Sequence, residues 1–453
     1  MLRNLPIRAN TSTESLAALL EAHRDGKPVG IYSLCSANRY VLEAGIEQAK
    51  QDGSLLLIES TPNQVNQFGG YTGQTPADFA QFVRQLAEEE DFPTERIILG
   101  GDHLGPHVWR KEPSKEAMEK ARVLVRDSVR AGYTKIHLDT SMHCADDPGD
   151  RNSPLADETV SERAAELCAA AEEASKERGD GFPAPLYVIG TEVPIPGGEL
   201  AEGKAPEVTR TEALQKTLEV AKRAFVLRGL ESAWRRVAAV VVQPGVEFGD
   251  ASVFAYDRKK AEALSKFALK HWHGVYEAHS TDYQPAGALQ QMVHDHFSIL
   301  KVGPWLTFAF REAVFALAAL EEEWLANRRG VTLSKVREEL DLAMVENPSF
   351  WKDYYRGDEA TIRLARRYSY SDRSRYYWPV PRVAAALARL IANLGADPPP
   401  NSMISQFLPR QSEMVLNGCL SRSPKELIRS KVREVLEVYA TACGAKMEKR
   451  QDN

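Results

Sequence analysis

Eight short apolar runs lie along the first three hundred residues, separated by helix-like sequence, and most end in or beside a polar or charged residue. They are Val29–Ser33, Leu55–Glu59, Ile97–Gly100, Lys135–Asp139, Leu186–Glu192, Val237–Gln243, Gly274–Glu277 and Ile299–Val302. Most are continuous in Val, Ile and Leu rather than alternating, as expected of parallel strands whose outer faces are covered by helices. Eight strand-then-helix units predict an α/β fold, a closed (β/α)8 TIM barrel, in which chemistry is built where the strands end. The predicted ends carry Ser33, Cys35, Glu59, Asp102, His103, Asp139, Glu192, Gln243, Glu277, His279, Asp282 and Lys301, a rim rich in acids and imidazoles that points to an enzyme.

The pattern before and after the barrel is helical. Thr13–Ala22 reads as a leading helix able to close the barrel floor. Thr75-Pro76-Ala77-Asp78 supplies a capping residue, a proline at the first helical position and an acid three residues after the cap, following the glycine-rich loop Gly69–Gly73. Past about Ala326 no further strand-helix unit is evident, so the expected organisation is a barrel over 1–326 and a C-terminal helical extension over 327–453 packed on it. Ser423-Pro424-Lys425-Glu426 reads as a capping box for a last amphipathic helix.

Composition changes this picture little. The chain has 453 residues, more than the roughly 250 that a bare barrel needs. With 43% hydrophobic and 26% charged residues a full core is feasible, and a net charge of -6 offers no broad basic field for nucleic acid or anionic lipid. Five scattered cysteines, Cys35, Cys144, Cys168, Cys419 and Cys443, lack the spacing of a zinc site or a disulfide framework, and no run of eighteen uncharged apolar residues occurs. The expectation is a cytoplasmic protein with reduced thiols, binding neither membrane nor nucleic acid.

Gly100-Gly101-Asp102-His103-Leu104-Gly105-Pro106 is the sharpest motif: glycines turn the backbone off the third strand and present a base and a metal ligand side by side. Glu277-Ala278-His279-Ser280-Thr281-Asp282 follows the seventh strand, and His103 and His279 meeting at one rim would form half a metal site. Glu192, before a stiff Pro-Gly loop, is a strand-end acid suited to ligation or proton transfer. His137 and Asp139 share a strand face; His137 reads as a core histidine and Asp139, at the tip, as the site residue. Gln243 is placed to hydrogen-bond a polyol, and Gly303 opens the strand-eight loop, where barrels often hold phosphate on helix N–H groups. In the extension, Tyr368–Trp378 concentrates aromatics around Arg373 and Arg375, a cluster suited to a phosphate or to packing the extension on the barrel.

These segments together resemble the tagatose-bisphosphate aldolase Z-subunit family. The likeness runs through Gly30–Ser36, Glu59–Asn66, Asp102-His103, Lys135–Asp139, Gly190–Pro194, Gln243–Gly249, Glu277–Gln284, Leu300–Arg311 and Tyr368–Trp378. The resemblance implies a barrel related to class II aldolases, acting in galactitol, tagatose or related sugar catabolism. It also implies one of two roles: a non-catalytic partner supporting a class II aldolase subunit, or a self-sufficient ketose or ketose-phosphate 4-epimerase. Asp102-His103 resembles the aldolase base and metal ligand, and His279 a second ligand. Gln243 stands where class II aldolases offer a third histidine, leaving Glu192 or Asp139 as the substitute.

Carbon 4 of a 2-ketohexose bears a hydrogen that is not alpha to the carbonyl, so enolisation cannot invert it. No Gly-x-Gly-x-x-Gly turn suggests a dinucleotide for transient oxidation. Retro-aldol cleavage between carbons 3 and 4, rotation of the aldehyde and re-addition remains. The expected assignment is a divalent cation (Zn, Mn, Co or Ni) on His103, His279 and Glu192, with Asp102 and Glu192 as catalytic acids and bases. Ser33, Asp139, Gln243, Asp282, Gly303 and Arg373 would bind substrate, and the protein is expected to be a homo-oligomer. Tagatose (6-phosphate) and fructose (6-phosphate) are the preferred substrates, with 4-epimerisation preferred over the supporting-subunit role.

Overall fold

In the computed structural model, residues 12–150, 153–179, 181–190, 206–272 and 274–445 are described. All eight runs are strands of one closed parallel barrel: β1 (Ile31–Leu34), β2 (Leu56–Ser60), β3 (Ile97–Leu104), β4 (Lys135–Leu138), β5 (Leu186–Ile189), β6 (Val237–Val241), β7 (Val275–Ala278) and β8 (Phe297–Val302). They neighbour one another in chain order, and β8 closes on β1 through Ile31 to Ile299 and Ser33 to Lys301. An antiparallel ladder, Glu247–Phe248 with Val253–Phe254, interrupts the pattern after β6.

Side chains two apart on a strand share a face, and that rule divides the barrel interior into layers. Ile31, Leu57, Ile98, Leu186, Val188, Ala239, Val241, Val275 and Ile299 form an apolar floor layer with Leu16, Leu19 and Leu20 of the helix Ser12–Arg24, which plugs the bottom as the leading segment predicts. Two residues further along β1, β2, β7 and β8 the interior turns polar and ionic, with Ser33, Glu59, Glu277 and Lys301 joined by Lys135 and His137 of β4, all buried. Gly100 makes room for this layer: a Cβ there would lie 2.5 Å from Glu59 Oε1.

A second apolar cluster joins the outer faces of the strands to the surrounding helices and continues through Leu340, Tyr355, Leu390 and Leu436 into the C-terminal segment. The core is therefore continuous across residue 326. The last helix, Pro424–Ala442, packs against Arg39–Asp52, Pro304–Leu325 and Ala286–His294, so it stands within the barrel's outer ring. Thr75 and Asp78 form the expected capping box. Ser423 does not: its side chain makes no cap hydrogen bond, and Glu426 instead accepts from the Ser421 amide at 3.5 Å. Among the described residues no helix is long and apolar enough to cross a membrane, and all five cysteines are free.

Candidate functional site

At the C-terminal mouth of the barrel a cleft of about 680 Å³, open to solvent, is lined by Cys35, Asp102, His103, His279, Ser280, Asp282, Lys301 and Gly303 from strand ends. Thr61, Asn63, Gln64 and Tyr71 close one side, Phe248 of the small ladder another, and Arg375 and Tyr376 of the C-terminal extension form a roof.

Beneath the cleft lies a buried ionic network. Lys135 Nζ lies 2.8 Å from Glu59 Oε1 and 2.6 Å from Glu277 Oε2. Lys301 Nζ contacts Glu59 Oε2, lies 3.0 Å from Asp102 Oδ1 and reaches Glu277 Oε1 at 3.8 Å. Ser33 Oγ donates to Glu59 Oε2. Two lysine side chains thus face three acidic ones. Burial alone would raise Asp102 and Glu277, but the neighbouring cations and imidazoles hold both carboxyls well below the usual carboxylate range. The same acids hold Lys301 well above its ordinary value against burial.

The imidazoles sit on this network. A register shift between Gly101 and Leu104 marks a bulge in the β3–β4 pairing, and His103 there adopts φ 54°, a sparsely populated conformation of the kind found at functional sites. His103 Nδ1 lies 2.7 Å from Asp139 Oδ2, and its Nε2 lies 3.7 Å from Asp102 Oδ2. Burial lowers its affinity for a proton, but Asp102 and Asp139 outweigh this and raise its pKa. His279 behaves oppositely: burial depresses it to about 4 despite Glu277 Oε1 at 3.0 Å from Nε2, so it stays neutral near pH 7 and suits metal ligation. The His103 and His279 ring centroids are 4.8 Å apart.

The set of side chains able to converge on one cation differs from the expected His103, His279 and Glu192. Among the described residues, ligand atoms of Asp102, His137, Glu277 and His279 all lie within 4.8 Å of one another, and all four residues are buried. Two imidazoles and two carboxylates are a donor set that divalent metals accept. His137 strengthens the fit. Its Nδ1 lies 3.1 Å from Asp102 Oδ1 and 3.2 Å from the His103 amide, while buried Nε2 has no hydrogen-bond partner among the described residues. Nδ1 either accepts from that amide or donates to Asp102, and in the second tautomer Nε2 presents a bare lone pair. His103 has Nδ1 held by Asp139, which leaves Nε2 as its open nitrogen, 3.7 Å from Asp102 Oδ2, and Glu192 lies outside the described residues.

The remaining candidates divide. Asp139 accepts from Ser141 N and Oγ as well as facing His103, so it orients an imidazole rather than lining the cleft. Ser33 is wholly buried beneath the cleft on Glu59. Gln243 turns its carbonyl onto the amides of Gly245 and Val246 at 2.8 and 3.1 Å and closes a local turn, which corrects its assignment to a polyol. Arg373 is also corrected. Buried in the extension, it stacks over Tyr354 and donates to the Phe350 carbonyl at 3.4 Å, and Arg375 lines the cleft in its place. Asp282 and Gly303 line the cleft, but Asp282 Oδ1 accepts from the amides of Gly303 at 3.0 Å and Trp305 at 2.8 Å. Pro304 has no N–H, so an internal carboxylate already takes the donors expected to cradle phosphate.

The sequence reading set Glu59, Glu277 and Lys301 at the strand ends without giving them a role, passed over Lys135, and took His137 for core. A signal existed: charged residues within runs that otherwise read as buried strands need partners. At the roof, Arg375 Nη2 donates to Tyr376 Oη at 2.9 Å, and Tyr376 stacks on Phe350 and meets the Tyr71 ring edge-on at 4.9 Å. Burial opposes ionisation of Tyr376, yet Arg375 and Arg373 bring its pKa below the ordinary phenol value.

Residues 16–444 match the family described as D-tagatose-1,6-bisphosphate aldolase subunit GatZ/KbaZ-like. The crystal structure of a probable tagatose 6 phosphate kinase from Sinorhizobium meliloti 1021 is 45% identical to this chain, with a TM-score of 0.82, covering 91% of this chain and 100% of its own. The YdjI aldolase from Escherichia coli K12 is 11% identical, with a TM-score of 0.38 over 80% of this chain and 94% of its own. The fructose-bisphosphate aldolase of Campylobacter jejuni is 13% identical, with a TM-score of 0.40 over 85% and 92%.

Proposed function

Because the chain belongs to the GatZ/KbaZ-like family of D-tagatose-1,6-bisphosphate aldolase subunits, we propose that it performs retro-aldol and aldol chemistry at the C3–C4 bond of a ketohexose or its phosphate. In this reading it is a 4-epimerase that interconverts the tagatose and fructose skeletons. The observation that supports the reading is the buried, metal-competent cluster, two of whose members, Asp102 and His279, line the cleft at the barrel mouth.

Asp102, kept ionised by His103 and Lys301, takes the proton of the carbon-4 hydroxyl as the C3–C4 bond breaks and returns it after the aldehyde has turned. Such general-base assistance contributes on the order of a hundredfold to ten-thousandfold. His103, whose hold on a proton Asp102 and Asp139 strengthen against burial and whose Nδ1 faces Asp139, donates toward oxygen on the same side. His137, Glu277 and His279 would hold a divalent cation, with Asp102 beside them. When bound, that ion would supply Lewis-acid polarisation of the ketone, roughly several kcal/mol. Arg375 and Tyr376 grip the far end of the sugar, and any phosphate falls to Arg375, because Asp282 occupies the helix start after β8.

The second reading, a supporting subunit of a two-component aldolase, is favoured by the family's description as an aldolase subunit. Incubating the purified chain alone with Mn²⁺ and fructose 6-phosphate, and identifying the products before and after chelation, separates the two. Tagatose 6-phosphate formed without any partner supports the epimerase. No interconversion, while a co-expressed class II aldolase gains activity, supports the subunit. Asp102→Asn is expected to lower turnover by a factor of roughly a hundred or more, and wild-type rates from that variant would remove Asp102 from the assignment.

A further inference from the structure

Lys301, near the end of β8, is buried in the barrel interior and also lines the cleft. The register of β1 on β8 sets Ser33 opposite it, and Glu59 of β2 accepts from both Ser33 Oγ and Lys301 Nζ. Gly100 leaves the space in which the Glu59 carboxylate lies. The ammonium is thus anchored by a carboxylate outside the metal-competent set of Asp102, His137, Glu277 and His279.

Its remaining carboxylate contacts fall on that set. Nζ lies 3.0 Å from Asp102 Oδ1 and 3.8 Å from Glu277 Oε1. The imidazoles approach the same two oxygens: His137 Nδ1 lies 3.1 Å from Asp102 Oδ1, and His279 Nε2 lies 3.0 Å from Glu277 Oε1. Lys135 Nζ meets Glu277 through its other oxygen, Oε2, at 2.6 Å, so among the described residues Lys301 is the lysine in contact with both acidic members. Burial works against the ammonium, yet the surrounding acids, Asp102 first, keep its pKa well above the ordinary lysine value. One positive charge therefore already bears on both carboxylates of a donor set that suits a dication, in an interior where charges act on one another more strongly than in water.

We infer that Lys301 is the built-in counter-ion of the metal site: it compensates Asp102 and Glu277 in the metal-free chain and, bearing on the same carboxylates, sets how tightly a divalent cation is held. The inference rests on the proposed reading that His137, Glu277 and His279 hold that cation with Asp102 beside them. Removing one partner from buried charges leaves the others uncompensated, so the ammonium keeps the ligands assembled before a metal arrives. The same fixed charge opposes the dication when it enters.

The test is Mn²⁺ binding by the full chain without substrate, read as free Mn²⁺ by electron paramagnetic resonance. Lys301→Met and Lys301→Gln each remove the charge and are each expected to tighten binding roughly tenfold or more over wild type. Glu277→Gln added to either variant is expected to abolish the gain. Should Lys301→Met fail to fold, Lys301→Gln, which keeps an N–H for Glu59, takes its place. A variant that folds only with Mn²⁺ present supports the inference, because a ligand of the native state adds its binding free energy to folding. Variants that bind Mn²⁺ no more tightly than wild type, a gain that survives Glu277→Gln, or failure of both variants to fold even with Mn²⁺ would overturn it. Absence of saturable binding in wild type and in both variants would overturn the metal reading as well. Wild-type binding that Glu277→Gln abolishes, with no gain in the Lys301 variants, would overturn this inference alone.

Discussion

The two ends of the barrel interior are made by the same strands and differ in everything else. At the floor, Leu57, Ile98, Val275 and Ile299 pack on Leu16, Leu19 and Leu20. Two residues onward, Glu59, Glu277 and Lys301 occupy equivalent inward positions with no exposure above a few per cent. Apolar packing stabilises through area removed from water. A buried ionic layer costs desolvation for every charge and is weak evidence for stability, because replacing such groups by well-packed apolar ones is often neutral or better. The upper layer is therefore what the fold carries for chemistry, and the lower layer is what makes it affordable.

The strongest test of that contrast removes one charge. Lys301→Met leaves Lys135 as the one ammonium group beside Glu59 and Glu277 and none beside Asp102. Stripping one partner from a buried pair costs about 3–5 kcal/mol, so urea unfolding is expected to show a loss of that size together with loss of turnover. Unchanged stability would mean that water reaches the layer and that the network is not a dry interior. The matching change at the floor is Leu57→Ala, a fully buried side chain facing the plug helix layer. It is expected to cost about 2–5 kcal/mol while leaving turnover per folded molecule as it was. A large fall in turnover in a folded Leu57→Ala protein would show that the two layers are coupled.

The sequence disclosed the strands well and the ionic layer poorly, for one physical reason. A parallel strand covered on both sides reads as a continuous apolar run whatever its register, so all eight were visible. Which way a lone Lys points depends on partners far away in sequence: Lys135 stands at the start of its run, and only closure of the barrel brings Glu59 of β2 and Glu277 of β7 across the interior to meet it. His137 was placed on the correct face with Asp139, but its depth beside Asp102 follows from the bulge at His103, which no local pattern announces. Arg373 and Arg375 lie on one short turn, Arg373–Tyr376, whose rotation against the barrel decides which of them meets the cleft. Gln243 looked like a binding residue because glutamine is versatile, and Pro244-Gly245 beside it used that versatility for a turn.

The smallest effect concerns Asp282, where the two interior regimes meet at one group. Its carboxylate caps a helix start, which should favour the anion, yet it is buried, and burial dominates: its pKa rises from 3.8 to about 6, with the Trp305 and Gly303 amides and Arg375 pulling the other way. A folded-state pKa above the unfolded one means that the folded protein holds a proton that the unfolded chain has released. Stability linked to this group is thus fully present below about pH 3.8, falls as pH rises, and is lost above about pH 6, a difference of at most about 3 kcal/mol. Asp282→Asn keeps an oxygen acceptor for both amides and has no charge to desolvate. Its unfolding free energy relative to wild type is therefore expected to rise between pH 4.5 and 7.5 by up to about 3 kcal/mol. A relative stability that instead falls with pH would show that the helix start, and not the dry interior, governs this carboxylate, and would place the boundary between the two regimes below it.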